Sequence, residues 1–164
     1  RHFGVSNQNP MMMELLKTAV KQPLKVNQLQ LSVAFTPSFE AGFHVNMEGP
    51  KAAVRDGSVF EYCRLTDTVI QAWSVLQHGY FKGNFVGKEE FAALNHVLND
   101  LAKKYQVTPT AIALAWVLRY PSKMQAVIGT TKPQHVLEAG KAATVTLTRK
   151  EWYQIYLAAG NDLP

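Results

Sequence analysis

Four short β-type runs, Phe3 to Val5, Val26 to Val33, Val69 to Ser74 and Gln125 to Gly129, alternate along the whole chain with stretches of helical character. That alternation predicts an α/β fold with a parallel sheet, because strands and helices that take turns in sequence pack as layers of βα units. Four such units are half of the eight that close a (β/α)8 barrel, a fold of about 250 residues or more. Standing alone, they leave two strand edges without partners and an interior that is not filled.

The connecting segments carry their own stop and start signals. Between the first two runs, Pro10 to Lys21 places Met12, Leu15, Leu16, Ala19 and Val20 at helical spacing, with Asn9-Pro10 as cap and first turn and Pro23 as terminator. The Met11-Met12-Met13 run reads as helix packing, since unbranched Met fills irregular gaps. In the second run Val26, Gln28, Gln30 and Ser32 share one side, and Asn27, Leu29, Leu31 and Val33 share the other. A polar side of this kind faces solvent in an open sheet and faces the interior in a small barrel. Residues 34 to 57 hold Pro37, Gly42, Gly49, Pro50 and Gly57 and read as a long loop, with a short helix from Asp56 to Leu65 after it. Gln77 to Gly87, with Tyr80, Phe81 and Phe85, reads as a second loop able to fold over a ligand.

Lys88 to Tyr105 is expected to be an amphipathic helix, with Phe91, Leu94, Val97, Leu98 and Leu101 on its apolar side. Thr108-Pro109 opens a helix that is apolar all round, and Pro121 ends it. Two more follow: Pro133 to Ala143, and a helix to Ala159 opened by the capping box Thr148 and Glu151 and closed by Gly160.

With 164 residues and 47% hydrophobic content, the chain can bury one ordinary core, which argues against disorder and for a single domain over 1–164. Its net charge of +5 admits anionic ligands. The 17 Lys and Arg residues are scattered singly apart from the pairs Lys103-Lys104 and Arg149-Lys150, without the basic tract that follows a phosphate backbone, so no nucleic-acid partner is expected. No apolar run reaches the roughly 18 to 20 residues of a membrane span, and no signal peptide opens the chain. A lone Cys63 excludes an internal disulfide and suits a reducing compartment; the expected setting is cytoplasmic, with no membrane partner. Cys63 reads as a packed helix thiol, and His2, His44, His78 and His96 lack paired metal-ligand spacing, so no metal is expected.

Ligands of α/β sheets and barrels bind beyond the carboxyl ends of the strands. The residues found there are Ser6-Asn7, Gln28, Trp73-Ser74 and the turn Gly129-Thr130-Thr131-Lys132. They supply carboxamides and hydroxyls for hydrogen bonds, a flat aromatic face, and a Gly-Thr-Thr-Lys turn before a helix N-terminus, where free N–H groups and an ammonium charge suit a phosphate. Together they outline a dinucleotide. Singly, each has a plainer explanation: Ser6 as a cap, Asn7 as a turn former, Gln28 as a packed polar residue, Trp73 as core and Lys132 as a solvated side chain.

Gly4-Val5-Ser6-Asn7, Val26-Asn27-Gln28-Leu29-Gln30, Gln71-Ala72-Trp73-Ser74-Val75-Leu76 and the segment from Val127 to Val136 resemble the aldo/keto reductase superfamily, in the order of its last four barrel strands. The tail from Trp152 to Pro164 is similar to that of the bacterial YdhF-like oxidoreductases. The resemblance implies the C-terminal half, strands five to eight, of a (β/α)8 TIM barrel. It implies that Ser6, Asn7 and Gln28 hold the carboxamide of a nicotinamide and that Trp73 stacks on its ring. Ser74, Leu76 and Gly79 would meet the pyrophosphate. Thr130, Lys132 and His135 would surround the adenosine 2′-phosphate, with Glu138 near the adenine, and Gly129 and Thr131 complete the implied cofactor-binding set. NADPH is the implied cofactor; His135 stands where the family often has Arg, whose permanent charge grips phosphate more firmly, and Ala139 where a family Asn contacts adenine, which keeps NAD as the alternative.

The family's catalytic Asp, Tyr, Lys and His lie on the first four strands, and no segment here matches those. Tyr62, Tyr105, Tyr120, Tyr153 and Tyr156 read as packing residues, and Tyr80 at most lines a pocket. The expectation is therefore an oxidoreductase that reduces aldehydes or ketones by hydride transfer from NADPH. This chain carries the cofactor-binding half, is inactive alone, and needs the N-terminal half of the barrel as partner. The alternatives are a nucleotide-binding regulatory subunit without turnover and a truncated fragment without activity.

Overall fold

The computed structural model describes residues 2–44, 49–53, 57–79 and 82–163. Its frame is a sheet of four strands in the order β1-β2-β3-β4, every neighbouring pair parallel. The strands are β1 (Phe3–Ser6), β2 (Leu24–Gln30), β3 (Val69–Trp73) and β4 (Met124–Ala126). Each expected run contains a strand, though β2 ends at Gln30 rather than Val33 and β4 at Ala126 rather than Gly129, and chain order equals spatial order, as in successive βα units.

The helices are α1 (Pro10–Ala19), α2 (Pro37–Phe43), α3 (Val59–Leu65), α4 (Ala92–Tyr105), α5 (Pro109–Leu118), α6 (Pro133–Gly140) and α7 (Arg149–Ala158). The N-termini of α1, α5 and α7 follow the local cap signals. Asn9 Oδ1 accepts from the Met12 N–H at 3.0 Å, and Thr108 Oγ1 accepts from the Ala111 N–H at 3.2 Å. Thr148 and Glu151 form the reciprocal capping box of α7. Gly160, at φ 83°, lies just past its end in a left-handed conformation that Gly adopts without strain.

Two expectations need correction. Part of the long loop of 34–57 is helical: α2 occupies it, followed by a 3₁₀ turn at Pro50–Ala52. Pro37 and Pro50 sit in first turns, where a missing N–H costs nothing. What holds α2 is tertiary, for Phe39 is 1% exposed and packs on Phe60 and Tyr120 at 5.4 and 5.2 Å between ring centroids. The apolar stripe expected on α1 is largely uncovered. Met13 is fully buried, whereas Met12 and Leu15 are 47% and 71% exposed. β1 is an edge strand, so α1 has the sheet on one side and no neighbouring βα unit on the other. Asp56, expected to open the third helix, and Tyr80 and Phe81 of the second loop lie outside the described residues, as do Arg1 and Pro164.

The sheet has two unlike faces. Leu29, Ile70 and Ala72 are buried in one core with Cys63 of α3, Leu94 and Leu98 of α4, and Ile112 and Leu114 of α5. α5 is buried from Ala111 to Val117, as its all-round apolar sequence requires. α7 closes the far side of this core. Trp116 and Trp152 stack at 4.7 Å with planes 10° apart, and each indole N–H donates to the other's backbone carbonyl at 3.0 Å. The opposite face carries Ser6, Gln28, Gln71, Trp73 and Gln125, the polar side read from β2 extended across the sheet.

Among the described residues no helix is long and apolar enough to cross a membrane, and no cluster of His, Cys, Asp and Glu could hold a metal ion.

Candidate functional site

The strand ends converge because the sheet is parallel and in register: Ser6 lies beside Gln28, Gln28 beside Gln71, and Gln71 beside Gln125. The turn after β1 is fixed from beneath. Asn27, fully buried on the helix side of β2, donates to the Gln8 carbonyl at 2.7 Å. Asn7 takes a left-handed backbone at φ 53°, which Asn tolerates better than most residues. Its N–H donates to the Gln28 carbonyl at 2.9 Å, and its side chain donates to Ser6 Oγ at 3.2 Å. Ser6 Oγ in turn donates to the Gln28 carbonyl at 3.3 Å. Gly4 permits this closeness, since a Cβ there would lie 2.9 Å from Val26 Cβ.

Ser6, Asn7 and Gln28 thus form one polar group at the open side of β1 and β2. Across β3 begins a cleft of about 500 Å³. Trp73, Ser74 and Leu76 line it from the end of β3, Gly129 and Thr130 from the turn after β4, and His135 and Glu138 from α6. Ser74 has a left-handed backbone at φ 52°, which turns the chain sharply from strand into loop. Gln77, Asn84 and Thr110 add polar groups to the lining, and Val75, Leu114 and Ile128 add apolar ones.

The turn at the mouth of α6 is ordered by its own side chains. Thr130 Oγ1 accepts from the Lys132 N–H at 3.2 Å and lies 3.3 Å from His135 Nδ1. Lys132 occupies the N-cap position of α6, is exposed, and forms no ion pair with any described residue. Glu138 accepts from Gln134 Nε2 at 3.0 Å. Gly79, Thr131 and Lys132 do not line the cleft.

The loop after β3 folds back on itself. Gln77 and Asn84 form an antiparallel bridge, and Phe85, fully buried, donates its N–H to the Leu76 carbonyl at 3.1 Å. Asn95 of α4 holds it down, accepting from the Gly87 N–H at 2.8 Å and donating to the carbonyls of Phe85, Lys88 and Phe91 at 2.9, 3.0 and 3.1 Å. Asn95 and Asn27 escaped the sequence reading. Their one available signal is a polar residue at a position the periodicity assigns to the buried face.

Cys63 stays outside this chemistry. Burial pushes its thiol up to about 11, against a smaller opposing effect of the hydrogen bond with Asn27, so it is a packed thiol.

The Aldo/keto reductase family model matches residues 1–158, and the chain belongs to that family. It is 32% identical over 162 residues to the 6-dehydroglucose reductase of Agrobacterium fabrum, covering 98% of this chain and 47% of that protein. It is 30% identical over 166 residues to the oxidoreductase YdhF of Escherichia coli, covering 100% of this chain and 49% of the relative. The chain therefore spans about half the length of the curated relatives it matches. Solved structures agree on the fold: the thermostable aldo-keto reductase Tm1743 superposes with a TM-score of 0.67 at 22% identity, over 96% of this chain and 48% of its own. The aldo-keto reductase AKR2E5, solved with NADPH, gives 0.63 at 18% identity, over 96% and 42%. The four-stranded sheet is accordingly half of an aldo-keto reductase barrel.

Proposed function

We propose that this chain is the cofactor-binding half of a carbonyl reductase that uses NADPH. The carrying observation is the cleft of about 500 Å³ that joins Trp73, Ser74 and Leu76 to Thr130, His135 and Glu138, beside the polar group Ser6-Asn7-Gln28. This donor set fits a dinucleotide. Ser6, Asn7 and Gln28 offer both donors and acceptors for a carboxamide, and the half-buried Trp73 offers a flat face next to them. The Lys132 ammonium and Thr130 hydroxyl stand at the N-terminal turn of α6, where an additional phosphate gains from charge and from free N–H groups.

In this reading the bound reduced nicotinamide supplies a hydride to the carbonyl carbon of an aldehyde or ketone. Trp73 would stack on the nicotinamide ring, and Ser6, Asn7 and Gln28 would hold its carboxamide and so set its orientation. The proton for the carbonyl oxygen comes from the Tyr of the family's Asp-Tyr-Lys-His set, carried on the N-terminal half of the barrel. This half alone therefore binds nucleotide and does not turn over.

Lys132→Ala in the full-length protein tests the phosphate assignment. Loss of a charge-assisted contact should weaken NADPH by about 10- to 100-fold and leave NADH within about twofold, read by quenching of Trp fluorescence. Equal losses for the two nucleotides would refute the assignment.

A further inference from the structure

The register brings three glutamines of three different strands side by side on the site face of the sheet. Gln28 Nε2 donates to Gln71 Oε1 at 3.3 Å, and Gln71 Nε2 donates to Gln125 Oε1 at 3.0 Å. The bonds run in one direction. Each carboxamide passes a hydrogen bond to the next strand, so the orientation of one sets the orientation of all. A Gln amide has a donor side and an acceptor side that exchange on a half-turn, and Gln71, with its Nε2 given to Gln125, meets Gln28 with its oxygen.

We propose that Gln71, itself held by Gln125, is a positioning residue that fixes the amide of Gln28 with its oxygen free toward the nicotinamide carboxamide. The inference rests on the dinucleotide reading above and deepens it. With its Nε2 committed to Gln71, Gln28 presents Oε1 as an acceptor on the side where Ser6 and Asn7 lie. The NH₂ of a carboxamide meets that acceptor without either group having to turn. Without Gln71 the Gln28 amide rotates freely, and half of its orientations put donor against donor. Gln71 lies outside the lining of the cleft.

The test uses two ligands that differ only in the nicotinamide: NADPH, and 2′-phospho-ADP-ribose, which lacks it. NADH and ADP-ribose are run beside them. Gln71→Leu in the full-length protein should weaken NADPH by about three- to tenfold, the worth of one net hydrogen bond, and leave 2′-phospho-ADP-ribose unchanged. Gln71→Glu keeps an acceptor opposite Gln28 Nε2 and should restore NADPH affinity to within about twofold. Should Gln71→Leu fail to fold, Gln125→Leu gives the same nicotinamide-specific loss in weaker form, because it frees Gln71 to turn. Equal losses on both ligands, or no loss on either, overturn the positioning role. A wild-type protein that binds none of the four nucleotides overturns the cofactor reading itself, and this inference with it.

Discussion

Glu151 should make the fold measurably acid-sensitive. Its side chain is 9% exposed and accepts four hydrogen bonds: from Lys104 Nζ at 2.6 Å, the Tyr105 hydroxyl at 2.8 Å, and the Thr148 N–H and Oγ1 at 2.7 Å each. Burial by itself raises a carboxyl group's pKa. Here the bonds from Lys104, Thr148 and Tyr105 together outweigh it and bring Glu151 from 4.5 down to about 2. At about 1.4 kcal/mol per decade, that difference links folding to ionisation by roughly 3 kcal/mol. Lys104 is 59% exposed and open to screening by salt, which lowers the working figure to about 2 kcal/mol.

The folded pKa is the depressed one, so this stability is fully present above 4.5 and is lost as pH falls toward about 2. Glu151→Gln keeps the shape and removes the charge. Urea unfolding followed by Trp fluorescence, at steps from pH 7 to 2.5, gives the difference between wild type and variant. Subtraction removes the contribution of every other carboxylate. The difference should stand near 2 kcal/mol at pH 7 and shrink steadily below pH 4.5. A difference that stays flat across the range would refute the network as the source.

Two further outcomes are expected. With burial holding its pKa at about 11, Cys63 should react with a disulfide reagent at pH 8 orders of magnitude more slowly in the folded protein than in urea; equal rates would show an accessible thiol. Asn95→Ala removes the bonds that hold the loop after β3 and leaves buried carbonyls unpaired, at a cost of about 2 kcal/mol. Limited proteolysis should then cut between residues 77 and 87, and a loop as resistant as wild type would show that its own bridge suffices.

The features legible in the sequence were those decided within a few residues. Asn9, Thr108 and the Thr148-Glu151 pair cap helices through contacts three positions away, and the strand runs announce themselves by β-type composition and alternation. α2 was not legible, because Pro37 and Gly42 argue locally for loop while the burial of Phe39 argues for helix through rings that are distant in sequence, Tyr156 among them. The site divided in the same way. Strand ends could be located by position alone. The glutamine row depends on pairs 43 and 54 residues apart, and a shift of one residue in register would turn one member to the opposite face.

The same geometry accounts for where the apolar surface is left uncovered. Phe3, Met11, Met12 and Leu15 are exposed at the β1 and α1 side of the sheet, and Val127, Val136 and Leu137 at the β4 and α6 side. A random scatter of exposed apolar residues would need no explanation, but these two groups flank the two unpaired edges of one parallel sheet. In an eight-unit barrel each edge strand gains a parallel neighbour, and each flanking helix gains another helix beside it. Such neighbours would cover seven of the ten large apolar residues exposed among those described; Leu65, Leu157 and Leu163 lie elsewhere. Meanwhile the polar face, with Ser6, Gln28, Gln71 and Gln125, is the one a closed barrel turns inward. The pattern is that of a surface divided along the seams of a larger closed fold.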